Sequence, residues 1–387
     1  MPGNTFGERL RNARVIAGLT QTELARAAGV SVATVRKLEQ GAHSTARLET
    51  AHRLARALRI PTTRLMTQGP EHGADLDTTQ MWQPTIRALT RPEDPVDEPP
   101  SVAGVRQALR AAVLHSRHAE YAELAAALPP LIRDAQTLAG LEPEGQAVHT
   151  RLMQLVGSVL VQHRQFDIAE TVVESTLDAA QSHTQAATIV KNQCWLHLRR
   201  GQLAEARELA VRWADEIEPR RITRATPEEL AAWGWMLMYV AAAAARDNRR
   251  GEVRTALRWA RVAAEAMEGH PEDPELTFSV INVQYKAAEC AAVRERPEQV
   301  LSIAEGIPRD AKNGNSGRRH LLDVASAQAQ LRQRDEAVGT LWEIWEQAPE
   351  WLSQQRYATD IMAEVVARRR RLTPQMQALA RAVRLRA

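Results

Sequence analysis

The residues able to do chemistry lie in patterns that offer no covalent catalysis. The eleven His are scattered along the chain, and no His-Glu-x-x-His or similar metal-ligand spacing occurs. No Gly-rich loop follows a strand pattern to cradle a phosphate. Neither an enzyme nor a cofactor is expected. What the sequence offers is non-covalent recognition, and its densest stretch is residues 20–41. There the amide of Gln21, the hydroxyls of Ser31 and Thr34 and the cations of Arg36 and Lys37 alternate with Leu24, Ala25, Ala28, Val35 and Leu38. The polar set can donate hydrogen bonds and positive charge, and the apolar set fixes where those groups point.

Two short helical patterns must do that positioning. Leu24, Ala25 and Ala28 share one face of the first, and Val35 and Leu38 share one face of the second. Gly29 stands between them, where a sharp corner needs a positive φ that only Gly adopts cheaply. Ser31 is placed to cap the second helix, and Thr20 with Glu23 forms a capping box for the first. A small residue at Ala25 lets the two helices approach, so the pattern is that of a helix-turn-helix. Around it, residues 6–17 align Phe6, Leu10, Ala13 and Ala17, with Ile16 flanking and Gly18 as a stop. Gly41 closes the helix begun at Ser31. A fourth helix, roughly 46–58, is expected to bury Leu48, Ala51, Leu54, Ala55 and Leu58, and Pro61 opens a short fifth ending near Met66. Residues 1–67 hold eleven Arg and Lys against four Glu, a net +7, whereas the whole chain is only +3. A basic head on a mildly acidic body suits a phosphate-binding module attached to something else.

Five helices with these caps resemble the Cro/C1-type (xenobiotic-response-element) DNA-binding domain of phage repressors and bacterial regulators, over nearly all of residues 6–66. The resemblance implies that the helix starting at Ser31 lies in the major groove of double-stranded DNA. It places Gln21 on a phosphate at the N-terminus of the preceding helix, where backbone N–H groups also point. Val32, Ala33 and Lys37 match base-facing positions, with Thr34 and Arg36 flanking them. Arg47 matches a position near phosphates or the minor groove, and Arg14 and Glu39 match a bracing ion pair. Several relatives read adenine with amides where this chain has Val32 and Ala33. Those two can touch only thymine methyls, which leaves guanine acceptors to Lys37 and Arg36 and gives DNA shape a larger share of specificity.

At 387 residues, 44 % hydrophobic and 25 % charged, the chain has the composition of a globular protein of two or three domains. Its pattern is all-α. The longest nearly apolar run, Trp233–Ala245, is far short of the ~20 residues a membrane span needs, and Met1–Thr5 has no export-signal pattern, so a cytoplasmic protein is expected. Cys194 and Cys290 read as structural thiols. Composition changes after Met66: six of 19 Pro fall in residues 70–100. Residues 68–101 therefore read as a linker, either a hinge or an ordered crossover. Met81, Trp82, Ile86 and Leu89 are docking anchors there, and Pro84 limits any helix to a short turn.

From residue 102 to 387 amphipathic helical segments alternate with short breaks. Corners recur at Ala169, Ala206, Ala256, Val300 and Ala337. Twelve residues before each stands Gly157, Cys194, Ala244, Ala288 or Ala325, as a close crossing of paired helices requires. This resembles tetratricopeptide repeats at roughly 150–183, 187–220, 237–270, 281–314 and 318–351, with a degenerate pair at 103–138 and cap helices at about 351–369 and 373–385. The spacing is irregular, and Thr176, Trp213 and Ile344 are large where the family expects small residues. Arg368–Arg371 reads as a solvated turn, with a phosphate or partner contact as the alternative. Stacked hairpins curl so that first helices line a concave wall. By that geometry Lys191, Asn192, Trp195 and Arg199 face inward with Asn282, Tyr285, Lys286 and Glu289. Amides and cations beside aromatics suit a peptide's backbone or carboxylate, or an anionic small molecule; solvated groove residues or bonds between helices are the plainer reading, with Trp195 in the core rather than in a ligand cage. The expected architecture is a five-helix lambda-repressor-like head (1–67), a linker (68–101) and a TPR-like α-solenoid (102–387). That order resembles the peptide-responsive, quorum-sensing regulators of Gram-positive bacteria. The resemblance implies a homodimer on an operator, governed by a signalling peptide or small molecule. The alternatives are a DNA-tethered interaction scaffold, and an antitoxin or plasmid-transfer repressor without a small ligand.

Overall fold

The computed structural model describes residues 6–40, 48–58, 60, 62, 65, 72–90, 100–268, 278–308, 314–367, 369 and 371–385, without the side chains of 48, 49 and 72–78. Among them are twenty α-helices and no strand. In chain order the first nine are α1 Phe6–Ile16, α2 Gln21–Ala28, α3 Val32–Glu39, α4 Leu48–Ala57, α5 His72–Thr90, α6 Val102–His118, α7 Tyr121–Ala139, α8 Pro143–Gln162 and α9 Phe166–Asp178. There follow α10 His183–Arg200, α11 Leu203–Glu216, α12 Pro227–Arg246, α13 Arg250–Met267, α14 Val280–Val293, α15 Pro297–Glu305 and α16 Gly314–Gln330. The last are α17 Arg334–Gln347, α18 Pro349–Ser353, α19 Arg356–Val366 and α20 Pro374–Ala382. A single 3-10 turn, Ile222–Arg224, precedes α12. The chain divides into two compact units, Met1–Asp75 with Val324–Ala387, and Leu76–Asp323.

In the first unit α1–α4 enclose a core of Phe6, Leu10, Ala13, Leu24, Ala25, Ala28, Val35, Leu38, Ala51, Leu54, Ala55, Leu58 and Leu65. The expected faces are thus the buried ones; Leu48's side chain, Gly41 and all but two residues of the expected fifth helix lie outside the described residues. Gly29 adopts φ 65° and closes α2 with its N–H on the Ala25 and Arg26 carbonyls. Gly7 has a different role, since a Cβ there would sit 2.2 Å from the Leu38 carbonyl oxygen, so α1 can approach the end of α3 only without a side chain. The expected cap helix at 351–369 is broken in two, α18 and α19. At the break Gln355 Nε2 turns back to the Trp351 carbonyl at 3.0 Å, ending the first turn with a side chain.

The second unit is a stack of helical hairpins, the fold of an α-solenoid. Successive helices from α6 to α15 pack in turn, and α6, α8, α10, α12 and α14 also pack on one another, one layer of first helices. In this unit the corners Ala169, Ala206, Ala256 and Val300 are buried, as are Gly157, Cys194, Ala244 and Ala288 twelve positions earlier; Ala337 and Ala325 are buried within the first unit. α12 is buried nearly all round, which accounts for the apolar run Trp233–Ala245. Pro227 and a Thr226–Glu229 capping box start it, and Gly234 gives Phe278 its slot, because a Cβ would lie 2.0 Å from the Phe278 Cζ.

The expectation at Pro84 is corrected. α5 runs through it, with Pro84 exposed on the outer side and Trp82, Thr85 and Ala88 buried on the inner one. An interior Pro costs about 3 kcal/mol. Trp82 offsets that by full burial between two rings, 4.7 Å from His163 and 6.5 Å from Tyr121, centroid to centroid.

Candidate nucleic-acid interface and the inner wall of the solenoid

The helix pair α2–α3 is built by its caps. Thr20 Oγ1 accepts from Glu23 N at 3.1 Å while Thr20 N donates to Glu23 Oε2 at 2.6 Å, completing the capping box. Those two bonds, the Thr20 backbone first, hold the Glu23 carboxyl below its ordinary value. Ser31 Oγ accepts from Thr34 N at 3.0 Å and shares a hydrogen with Thr34 Oγ1 at 2.8 Å. Ser31 and Thr34 thus shape the start of α3 while staying within reach of a phosphate.

Along α3 the buried stripe is Val35 and Leu38, and the opposite stripe is Ala33, Arg36, Lys37 and Gln40, all exposed. Val32 is half-buried and packs against the core, so only part of it is offered outward. Gln40 escaped the sequence reading. The signal was present, since it continues the helical period from Ala33 and Lys37. Arg47 lies outside the described residues.

Gln21 sits differently from a simple phosphate ligand. Its Nε2 donates to Glu39 Oε2 at 2.8 Å, which leaves one N–H and the carbonyl oxygen free. Glu39 also takes Arg14, through Nε at 2.6 Å and Nη2 at 3.0 Å, and Arg14 Nη1 reaches the Leu19 carbonyl at 2.9 Å. This network fixes α1, α2 and α3 to one another and aims Gln21 beside the open N–H groups at the start of α2. In the same unit Arg371 approaches Glu23 at 3.6 Å, Arg369 pairs with Asp335 at 2.6 Å, and Gln377 packs against Gly18. Two members of the Arg368–Arg371 run thus meet carboxylates.

The inner wall of the solenoid gathers five of the eight body residues singled out in the sequence. Lys191 Nζ lies 4.9 Å from the Trp235 ring centroid, and burial pulls its pKa down to about 8. Trp235 leans on Tyr239 at 6.5 Å, and Tyr239 lies under Lys286 at 5.7 Å. Lys286 Nζ meets Glu289 Oε2 at 2.5 Å, and Arg246 meets Oε1 at 2.9 Å. Burial works to raise Glu289, but Lys286 and Arg246 outweigh it and hold it at about 2. Arg319 covers the Trp195 ring at 5.4 Å and donates to Gln162 at 2.5 Å. Arg199 is pulled down to about 10 by burial, then by Arg319 and Arg164. Asp323 is pushed up to about 8, chiefly by burial and then by Glu289.

Three of the eight do not join them. Asn192 is buried and donates to the Gln154 carbonyl at 2.9 Å, a bond between helices. Tyr285 is buried and stacks on His320 at 4.8 Å. Asn282 accepts from Ser279 Oγ at 2.7 Å at the start of α14. The sequence reading missed Trp235, Tyr239, Arg246, Arg319 and Asp323, which come from α12 and α16. The Ala-rich run of α12 hides the period that aligns Trp235 with Tyr239. Both thiols, Cys194 and Cys290, are buried and pushed up to about 12 by that burial.

A family model described as Helix-turn-helix matches residues 10–65. With the capped α2–α3 pair, the exposed α3 stripe and the basic charge, the N-terminal module is a DNA-binding helix-turn-helix domain of the Cro/C1 type. The chain that carries it is a DNA-binding regulator. No curated protein matches the chain.

Proposed function

We propose that this protein is a cytoplasmic transcription regulator that binds its operator as a homodimer and is governed by a signal held in the solenoid. The observation that carries the DNA half is the exposed Ala33–Arg36–Lys37–Gln40 stripe on a helix locked in place by capping and by the Arg14–Glu39–Gln21 network. In the docked complex Lys37 and Arg36 meet guanine acceptors, Ala33 and the open part of Val32 meet thymine methyls, and Gln21, Ser31 and Thr34 hold phosphates. Two heads must stand about 34 Å apart to enter successive major grooves. A ligand that changes the curvature of the hairpin stack shifts that spacing by a few ångströms and with it the affinity.

The test is footprinting across the protein's own promoter, followed by affinity measurement with and without cell extract. A protected, two-fold symmetric site whose affinity changes with extract supports the whole reading. A protected site indifferent to every extract returns the body to a scaffold role, and no protection on any salt-sensitive site removes the reading altogether.

A further inference from the structure

The inner wall holds more positive charge than its own carboxylates answer. Lys286 and Arg246 converge on Glu289, and Asp323 stands beside that cluster. Lys191, Arg199 and Arg319 make no salt bridge among the described residues, although Glu289 and Asp323 act on Arg319 from a distance. Lys191 rests on the face of Trp235, and Arg319 rests on Trp195 and the Gln162 amide oxygen. Ring faces and neutral amides hold a cation in place but leave its charge standing. Arg199 and Arg319 are close enough to repel one another. Half-buried like charges of this kind cost free energy, and at Arg319 the pull of Glu289 and Asp323 offsets the burial only in part.

We propose that this wall binds a small organic polyanion, its carboxylate or phosphate groups paired with Arg199, Arg319 and Lys191 and its apolar body against the indoles of Trp195 and Trp235. The proposal rests on the reading of the solenoid as a sensor and names what it senses. Guanidinium groups take carboxylates and phosphates through two parallel hydrogen bonds, which gives such a ligand orientation as well as charge balance. A neutral peptide backbone would leave all three cations unanswered, and a single terminal carboxylate would answer one. Burial lowers Lys191 to about 8 and Arg199 to about 10, which leaves both cationic at neutral pH, and an arriving anion would raise both again.

The full-length protein is titrated with citrate, pyrophosphate and isophthalate at ionic strength fixed with sodium chloride, and with neutral isophthalamide as the shape control. Tryptophan emission and melting temperature are followed. The expected result is a saturable change with at least one anion and none with the diamide. Replacing Arg199→Gln together with Arg319→Gln should weaken that response at least tenfold while salt-sensitive DNA binding, a check on folding, stays intact. An equal response to the diamide overturns the proposal, as does an unchanged response in the double variant. So does silence to all three anions and to the anion-exchange-retained fraction of cell extract. Should the unretained fraction alone change operator affinity, the polyanion falls and the sensor stands; should no fraction change it, the sensor falls too.

Discussion

Lys37 and Gln21 differ in what they offer DNA, and the difference is measurable. Lys37 is exposed on the α3 stripe with its ammonium free for a base edge, whereas Gln21 is tied through one N–H to Glu39. Lys37→Ala should relax one base position of the operator by about 1–3 kcal/mol, and Gln21→Ala should weaken all sequences alike. Binding titrations on single-base operator variants separate the two outcomes. Glu39 itself acts on stability. Its side chain and that of Arg14 are 4 % and 8 % exposed, so Glu39→Ala strands a buried guanidinium. A loss of about 3–5 kcal/mol in urea unfolding is expected, softened by the bond Arg14 keeps to the Leu19 carbonyl. The Arg14–Glu39 pair was legible from family resemblance, but the attachment of Gln21 was not. A hydrogen bond between side chains on different helices depends on rotamers that no spacing rule encodes.

Among elements, local signals proved the readable ones. The capping box of α2, the Ser31 cap of α3 and the left-handed Gly29 all concern residues within a few positions of one another, where types dictate conformation directly. Gly29→Ala should cost about 1–2 kcal/mol through φ alone, because no atom lies within 4 Å of where its Cβ would be. Gly234→Ala should cost about 1–3 kcal/mol for the opposite reason, as its φ is helical but Phe278 fills the space. Thermal melts of the two variants distinguish strain from overpacking if a Phe278→Leu change rescues only the second. The repeat anchors were legible too, since close helix crossing imposes small residues at a fixed offset. Trp82 was recognised as a docking anchor, but its hosts were not. His163 and Tyr121 belong to helices far along the chain, and their packing, rather than the local cost of Pro84, decides that α5 continues. On the inner wall, α10 and α14 could be read from their polar periodicity. α12 and α16 could not, because there the recognition residues are few among many Ala, or are only two, Arg319 and Asp323, in a 17-residue helix.

At the scale of the whole molecule, buried titratable groups pull stability in opposite directions as pH falls, and His163 is the one that acid works against. His163 is buried beside Trp82 and Tyr121, and burial lowers its pKa to about 3. The unfolded chain therefore binds the proton first as pH falls. Stability from this group is complete above about 6.5 and drains at up to about 1.4 kcal/mol per pH unit below that, down to the folded value. Asp323, pushed up to about 8, gains stability as pH falls over the same window, so the His163 share is read as the difference in urea midpoints between the native chain and His163→Gln, which should shrink from pH 7 to 5. Cys194 and Cys290 are sealed in the hairpin stack with thiols held protonated far above neutral pH. The thiolate is the nucleophile that attacks maleimides and thiol-specific nitroxide reagents, so the native chain supplies almost no background label. A cysteine introduced at exposed Arg26 or Glu8 would be the main reactive site, and a spin pair across two copies could then read the separation of the heads as a ruler.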